Sequence, residues 1–212
     1  MIEYMLPGDI ETKSLEIIKE ELLARGISLP AENDAVIRRA IHASADFDYA
    51  RTLCFSEGAV SAARELIKNG ASIVTDTNMA LTGINKKRLA SYGGTVRCYM
   101  ADEDVAEEAK ARGITRASVS MERAARNAAA GGIKTIFAIG NAPTALVTLR
   151  DLYDRGIYRP DFIIGVPVGF VNVAEAKELI LDTDIPHIVN RGRKGGSNVA
   201  AAIVNAILYG MD

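Results

Sequence analysis

The sequence predicts a three-layer α/β/α fold built on a mainly parallel, five-stranded sheet preceded by helices. Short apolar runs rich in Ile and Val recur at 72–75, 95–100, 134–139, 161–166 and 187–190, and stretches with helical apolar spacing separate them. These runs are apolar at most positions instead of alternating with polar residues, which is the pattern of strands covered on both faces. Three helical patterns stand before the first run.

Leu15, Ile18 and Leu22 repeat at helical spacing, and Gly26 stands where a left-handed residue closes a helix. Val36, Ile37, Ala40 and Ile41 form a second stripe, with Asn33 and Asp34 as possible caps. A third runs from Ser56 through Val60 and Leu66 to a stop at Gly70. Beyond the first strand, helices are expected over 102–112, 116–130, 142–154, 172–181 and 197–208. Open parallel sheets bind ligands beyond the carboxyl ends of their strands. Function is therefore expected in the polar, Gly-rich segments 75–85, 140–145, 165–172 and 190–198.

At 212 residues and 49% hydrophobic, the chain can build one sizeable core, and no linker, low-complexity tract or repeat divides it, so 1–212 reads as a single domain. With 25 basic and 27 acidic residues it has a formal charge of -2, and no global positive field would draw nucleic acid. An anionic ligand must be held by a local cluster. Cys54 and Cys98 form no CxxC pair, so neither a disulfide framework nor a thiolate metal site is indicated. The N-terminus lacks a secretory pattern and no apolar run reaches membrane-spanning length, so a cytoplasmic protein is expected, with no membrane partner.

His42 and His187 are the only histidines. His187 opens the last strand, at the edge opposite the ligand loops. His42 follows Arg38 and Arg39 by four and three residues and precedes Asp46 by four, and such cations and carboxylates could tune a proton donor near neutrality. A surface or capping histidine fits the same spacing. The string 192–197 (GRKGGS) joins the last strand to a helix, where glycines admit a ligand to the backbone and a helix N-terminus favours negative charge. A sharp turn with solvated basic residues reads equally well. Neither a Walker string nor GxGxxG occurs, so nucleotide binding has little support. Segments 75–77 (TDT) and 140–144 (GNAPT) offer hydroxyl and amide groups at strand ends, where helix capping is the plainer role. Asp76, Asp102 and Glu103 lack a His or Cys at ligand spacing, and no metal site is expected.

Taken together, IHASADFD (41–48), TDTNMALTGINKK (75–87), IGNAPTAL (139–146), GVPVGFVNVAEAK (165–177) and GRKGGS (192–197) resemble the precorrin-8X methylmutase family of corrin biosynthesis, over nearly the whole chain. The resemblance implies a flavodoxin-like fold and a homodimer. It also implies an isomerase that moves a methyl group from C-11 to C-12 of precorrin-8X or its cobalt complex by a 1,5-sigmatropic shift, giving hydrogenobyrinic or cobyrinic acid. It places the catalytic role on His42 and substrate contacts on Ser14 and Arg39.

Such a shift calls for a held substrate and a placed proton, so no cofactor is expected. The substrate is a polycarboxylate tetrapyrrole. Arg39, Arg116, Arg193, Lys194 and the backbone of Gly195, Gly196 and Ser197 are expected to bind its acid groups, while Thr75, Thr77, Asn141 and Thr144 fix the acid groups and ring plane. Two rival readings use the same topology: a non-catalytic tetrapyrrole carrier, and a flavin- or nucleotide-binding module.

Overall fold

The computed structural model describes residues 6–211. In chain order the elements are α1 (Pro7–Ala24), α2 (Asp34–Ser44), α3 (Tyr49–Thr52), β1 (Leu53–Phe55), α4 (Ala59–Lys68), β2 (Ser72–Thr75), α5 (Asn78–Gly83), α6 (Lys86–Ser91) and β3 (Val96–Arg97). They continue with α7 (Glu103–Arg112), α8 (Arg116–Gly131), β4 (Thr135–Ile139), α9 (Pro143–Asp154), β5 (Phe162–Gly165), α10 (Val173–Leu181), β6 (His187–Asn190) and α11 (Ser197–Tyr209).

The strands form one six-stranded sheet in the order β1-β6-β5-β4-β2-β3. This corrects the five-stranded expectation. The added strand, β1, pairs antiparallel with β6, matching Leu53 with Asn190 and Phe55 with Ile188, while the other pairings are parallel. Three residues are too few to show a period, and the helix expected from Ser56 begins only at Ala59. The run at 95–100 yields a strand of only two residues, and the polar segment 75–85 contains the short helix α5.

Both faces of the sheet are covered. Ile73, Ile136, Ala138, Phe162, Ile164 and Ile188 point into a core shared with α1, α2, α4 and α11, whereas Val74, Phe137, Ile139, Ile163 and Val189 point into one shared with α8, α9 and α10. The alternation within each apolar strand therefore selects between two cores rather than between core and water. Helix α11 lies between α2 and strands β4 and β5, and it is buried on nearly every side from Val199 to Leu208. Its all-round apolar character is what such a position demands. Among the described residues no helix is long and apolar enough to cross a membrane.

Candidate active site

The carboxyl ends of β2, β4 and β6 converge on the start of α11, and buried polar groups hold them there. Asp76, directly after β2, is fully buried and accepts the backbone N–H groups of Gly140 at 2.9 Å, Asn141 at 2.8 Å and Ala142 at 2.6 Å. Burial pushes its carboxyl group up and those N–H groups pull it down. This gives Asp76 a structural role in place of metal binding, and it fixes the turn between β4 and α9. Thr77 caps α5 by accepting from Ala80 N at 3.1 Å, and its hydroxyl meets that of Ser197 at 2.8 Å. Thr75 is turned inside, fully buried, and donates to the carbonyl of Thr77 at 3.0 Å. It orients the turn rather than presenting itself to a ligand, because its hydroxyl is buried and spent on that carbonyl.

The loop 191–196 is drawn against the carboxyl end of β5. Gly196 N donates to Val166 O at 2.9 Å and Gly169 N to Arg193 O at 3.1 Å. A Cβ on Gly195 would collide with the carbonyl of Val166 and come within 2.7 Å of that of Pro167, so the approach admits no side chain. Buried Asn190 donates to the carbonyl of Lys194 at 2.9 Å and receives the Thr52 hydroxyl at 2.6 Å. The first turn of α11 has no side-chain cap, which leaves N–H groups of Ser197 and its neighbours at this edge.

His42 lies in the last turn of α2 with an exposed ring. It lines two adjoining cavities. One, of about 260 Å³, lies between α1 and α2 and is shared with Ser14, Ile17, Glu21 and Phe47. The other, of about 360 Å³, is shared with Glu11, Arg39, Met79, Asn198 and Tyr209. Asn198, in the first turn of α11, donates to the carbonyl of Ala43 at 3.1 Å and so ties the end of α2 to the strand-end loops. Ser14 donates to the carbonyl of Ile10 at 2.7 Å. Arg39 pairs with Glu11 at 2.7 Å and stacks 5.4 Å from the Tyr209 ring centre. The Arg39 hydrogen bond holds the Glu11 carboxyl below its ordinary range.

The neighbourhood expected for His42 from helical spacing is formed only in part, since Arg39 shares a cavity with it while Asp46 and Arg38 turn to other partners. Ala45 adopts a left-handed conformation that ends α2 at Ser44, so Asp46 leaves the helix and pairs with Lys194 at 2.6 Å. Arg38 is occupied by Asp34. Lys194 also pairs with Asp48 at 2.6 Å, and the two carboxylates raise its pKa. Burial pushes Asp46 up, yet the Lys194 hydrogen bond and the Asp48 N–H leave it below its ordinary range. The charge at this loop therefore rests on Arg193, which has no acidic partner among the described residues and stands 5.5 Å over the Phe170 ring.

Arg116 and Thr144 lie elsewhere on the same edge. Thr144 meets the Thr115 hydroxyl at 2.9 Å and Arg116 opens α8, exposed; neither lines a cavity with His42 among the described residues. Asn141 is exposed at the turn held by Asp76. His187 is buried at the amino end of β6, with Nδ1 2.8 Å from Ile185 O, and burial lowers its pKa. Sequence reasoning missed the frame formed by Asp76, Asn190 and Asn198. Asp76 reaches Gly140, Asn190 reaches Thr52 and Asn198 reaches Ala43, which are 64, 138 and 155 residues away and beyond the reach of a local pattern. No group of three or more His, Cys, Asp or Glu among the described residues could hold a metal, and both cysteines are free.

Comparison with known proteins gives a consistent result. The family model described as precorrin-8X methylmutase matches residues 9–210. A cobalt-precorrin-8 methylmutase of Priestia megaterium is 44% identical over 201 residues, covering 95% of this chain and 87% of the relative. A precorrin-8X methylmutase of Pseudomonas aeruginosa is 37% identical over 210 residues, covering 98% of each chain. The crystal structure of a precorrin-8X methyl mutase from Thermus thermophilus superposes with a TM-score of 0.83 at 38% identity, covering 95% of this chain and 94% of that one.

Proposed function

The chain belongs to the precorrin-8X methylmutase family, the methyl-shifting isomerases of cobalamin biosynthesis, and from that premise we propose that His42 is its general acid. The substrate in this reading is precorrin-8X or its cobalt complex, whose C-11 methyl group migrates to C-12. The observation that carries it is the position of His42, an exposed imidazole lining two cavities at once beside the uncapped start of α11. A proton placed on the conjugated macrocycle lowers the barrier to a sigmatropic shift, and general acid catalysis typically contributes about a hundredfold to ten-thousandfold. The migrating methyl group stays within one molecule, so the step is redox-neutral.

Substrate carboxylates are assigned to Arg39, Arg193, the N–H groups of Gly195 to Ser197 and the hydroxyls of Ser14, Thr77 and Ser197. Arg39 would exchange Glu11 for a substrate acid group. Arg116, Asn141, Thr144 and the paired Lys194 serve the periphery of a wide ligand. The five parallel strands have the spatial order β3-β2-β4-β5-β6, which supports a flavodoxin-like reading with β1 added at an edge. A homodimer is supported by the exposed apolar side chains near these loops, with Phe170 81%, Val171 76% and Met79 69% accessible. Cytoplasmic residence fits the two free thiols.

An anaerobic absorbance time course with precorrin-8X, and separately with its cobalt complex, tests the assignment. Wild-type protein should convert the spectrum to that of the corrin product while His42→Ala binds product without turnover. Normal turnover by His42→Ala removes His42 from the mechanism, and binding without conversion by the wild type makes the protein a carrier.

A further inference from the structure

Among the described residues Lys177 is the one fully buried lysine, and the site as described above leaves it without a role. It sits on α10 among the core residues Val173, Ala176 and Ile180, where an apolar side chain would be expected. Its ammonium has no carboxylate partner among the described residues. It donates instead to two carbonyl oxygens of the loop before α11, Gly192 O at 2.7 Å and Lys194 O at 2.8 Å. Burial lowers its pKa to about 8. A cation kept dry beside two carbonyls, in a position that Leu or Met would fill, is costly unless those two contacts matter.

Peptide planarity gives the contacts their consequence. In a trans peptide the N–H of the next residue points away from the carbonyl of the one before. Drawing Gly192 O and Lys194 O inward therefore turns the N–H groups of Arg193 and Gly195 the other way, and neither has an acceptor among the described residues. Asn190 grips the Lys194 carbonyl as well, at 2.9 Å, and Gly196 N is fixed to Val166. We propose that Lys177 is a positioning residue for substrate binding, which sets the peptide planes of 192–195 so that two backbone N–H groups and the start of α11 face a substrate carboxylate. This rests on the functional reading above for the identity of the anion.

The test is Lys177→Met, which keeps the length of the chain and removes the donors. Expected are a rise of about tenfold in KM for precorrin-8X and in Kd for the corrin product, with kcat within about twofold, since the loop binds an acid group remote from the migrating methyl. Amide hydrogen exchange over 192–196 should quicken by about tenfold while exchange in β4 and β5 is unchanged. A fall in kcat that tracks the folded fraction, with KM unchanged, would make Lys177 a packing residue and overturn the proposal. Unchanged exchange over 192–196 would overturn it too. Lys177→Gln, whose shorter side chain ends in an amide with two N–H donors, should fall between wild type and Lys177→Met in KM, and it replaces Lys177→Met if that variant does not fold. Should the wild type neither bind nor convert the tetrapyrrole, the functional reading fails, and the exchange measurement still decides whether Lys177 holds the loop.

Discussion

Two regions meet at the carboxyl edge of the sheet, and they are built on opposite terms. At the ends of β2, β4 and β6 the polar side chains are buried and engaged: Asp76 with three backbone N–H groups, Asn190 with Lys194 O and the Thr52 hydroxyl, and Lys177 with two carbonyls. At the end of α2 the reverse holds, with His42 exposed at the wall of two cavities and Arg39 engaged by the exposed Glu11 carboxylate and the Tyr209 ring. In the proposed reading the difference separates frame from chemistry. The buried groups present the backbone, where satisfied hydrogen bonds in a dry setting give rigid geometry, while the exposed groups remain free to exchange protons and partners.

If that division is right, substitutions on the two sides should fail differently. The largest effect is expected for His42→Ala, a loss of about a hundredfold to ten-thousandfold in kcat with melting temperature unchanged. A comparable loss of stability would place His42 in the frame. Asp76→Asn should do the opposite, lowering unfolding free energy by about 2–4 kcal/mol, because hydrogen bonds to a charged acceptor are each worth about 1.5–3 kcal/mol and the amide cannot receive all three N–H groups. Denaturant titration checks it. Gly195→Ala is expected to push the 191–196 loop off Val166, costing about 1–3 kcal/mol in stability and raising KM.

A smaller effect is expected of Arg193→Ala. Its charge is exposed and has no acidic partner among the described residues, so KM should rise a few-fold, about 1 kcal/mol or less, and the gap from wild type should narrow at high salt as the charge is screened. The last is a pH effect from Lys177, whose pKa of about 8 in the folded chain lies below the ordinary 10.5. Between these values the unfolded chain binds more protons, so this group's contribution to stability rises as pH rises from about 8 to 10.5. Denaturant titrations of wild type against Lys177→Met should diverge over that window, and parallel curves would mean the ammonium is not held dry.

Much of the frame's secondary structure was legible, because β2, β4, β5 and β6 are contiguous apolar runs and the long helices carry their period in contiguous residues. Strand β1 was not, since three residues carry no period. Within the site, the GRKGGS string was found by its glycines and its place between a strand and a helix, whereas Lys177 gave only the faint signal of a charge in an apolar stripe.

By itself the sequence determined the layered α/β class, the family resemblance and the two histidines among which a proton donor could be sought. Only the tertiary structure decided that Asp46 serves Lys194 rather than His42, that Thr75 faces inward, and that Asp76 and Lys177 hold the loops. The reason is physical. Periodicity and capping are local interactions written within one turn or strand, while a buried polar group is satisfied by whichever partner the fold brings to it, and here those partners are up to 138 residues away.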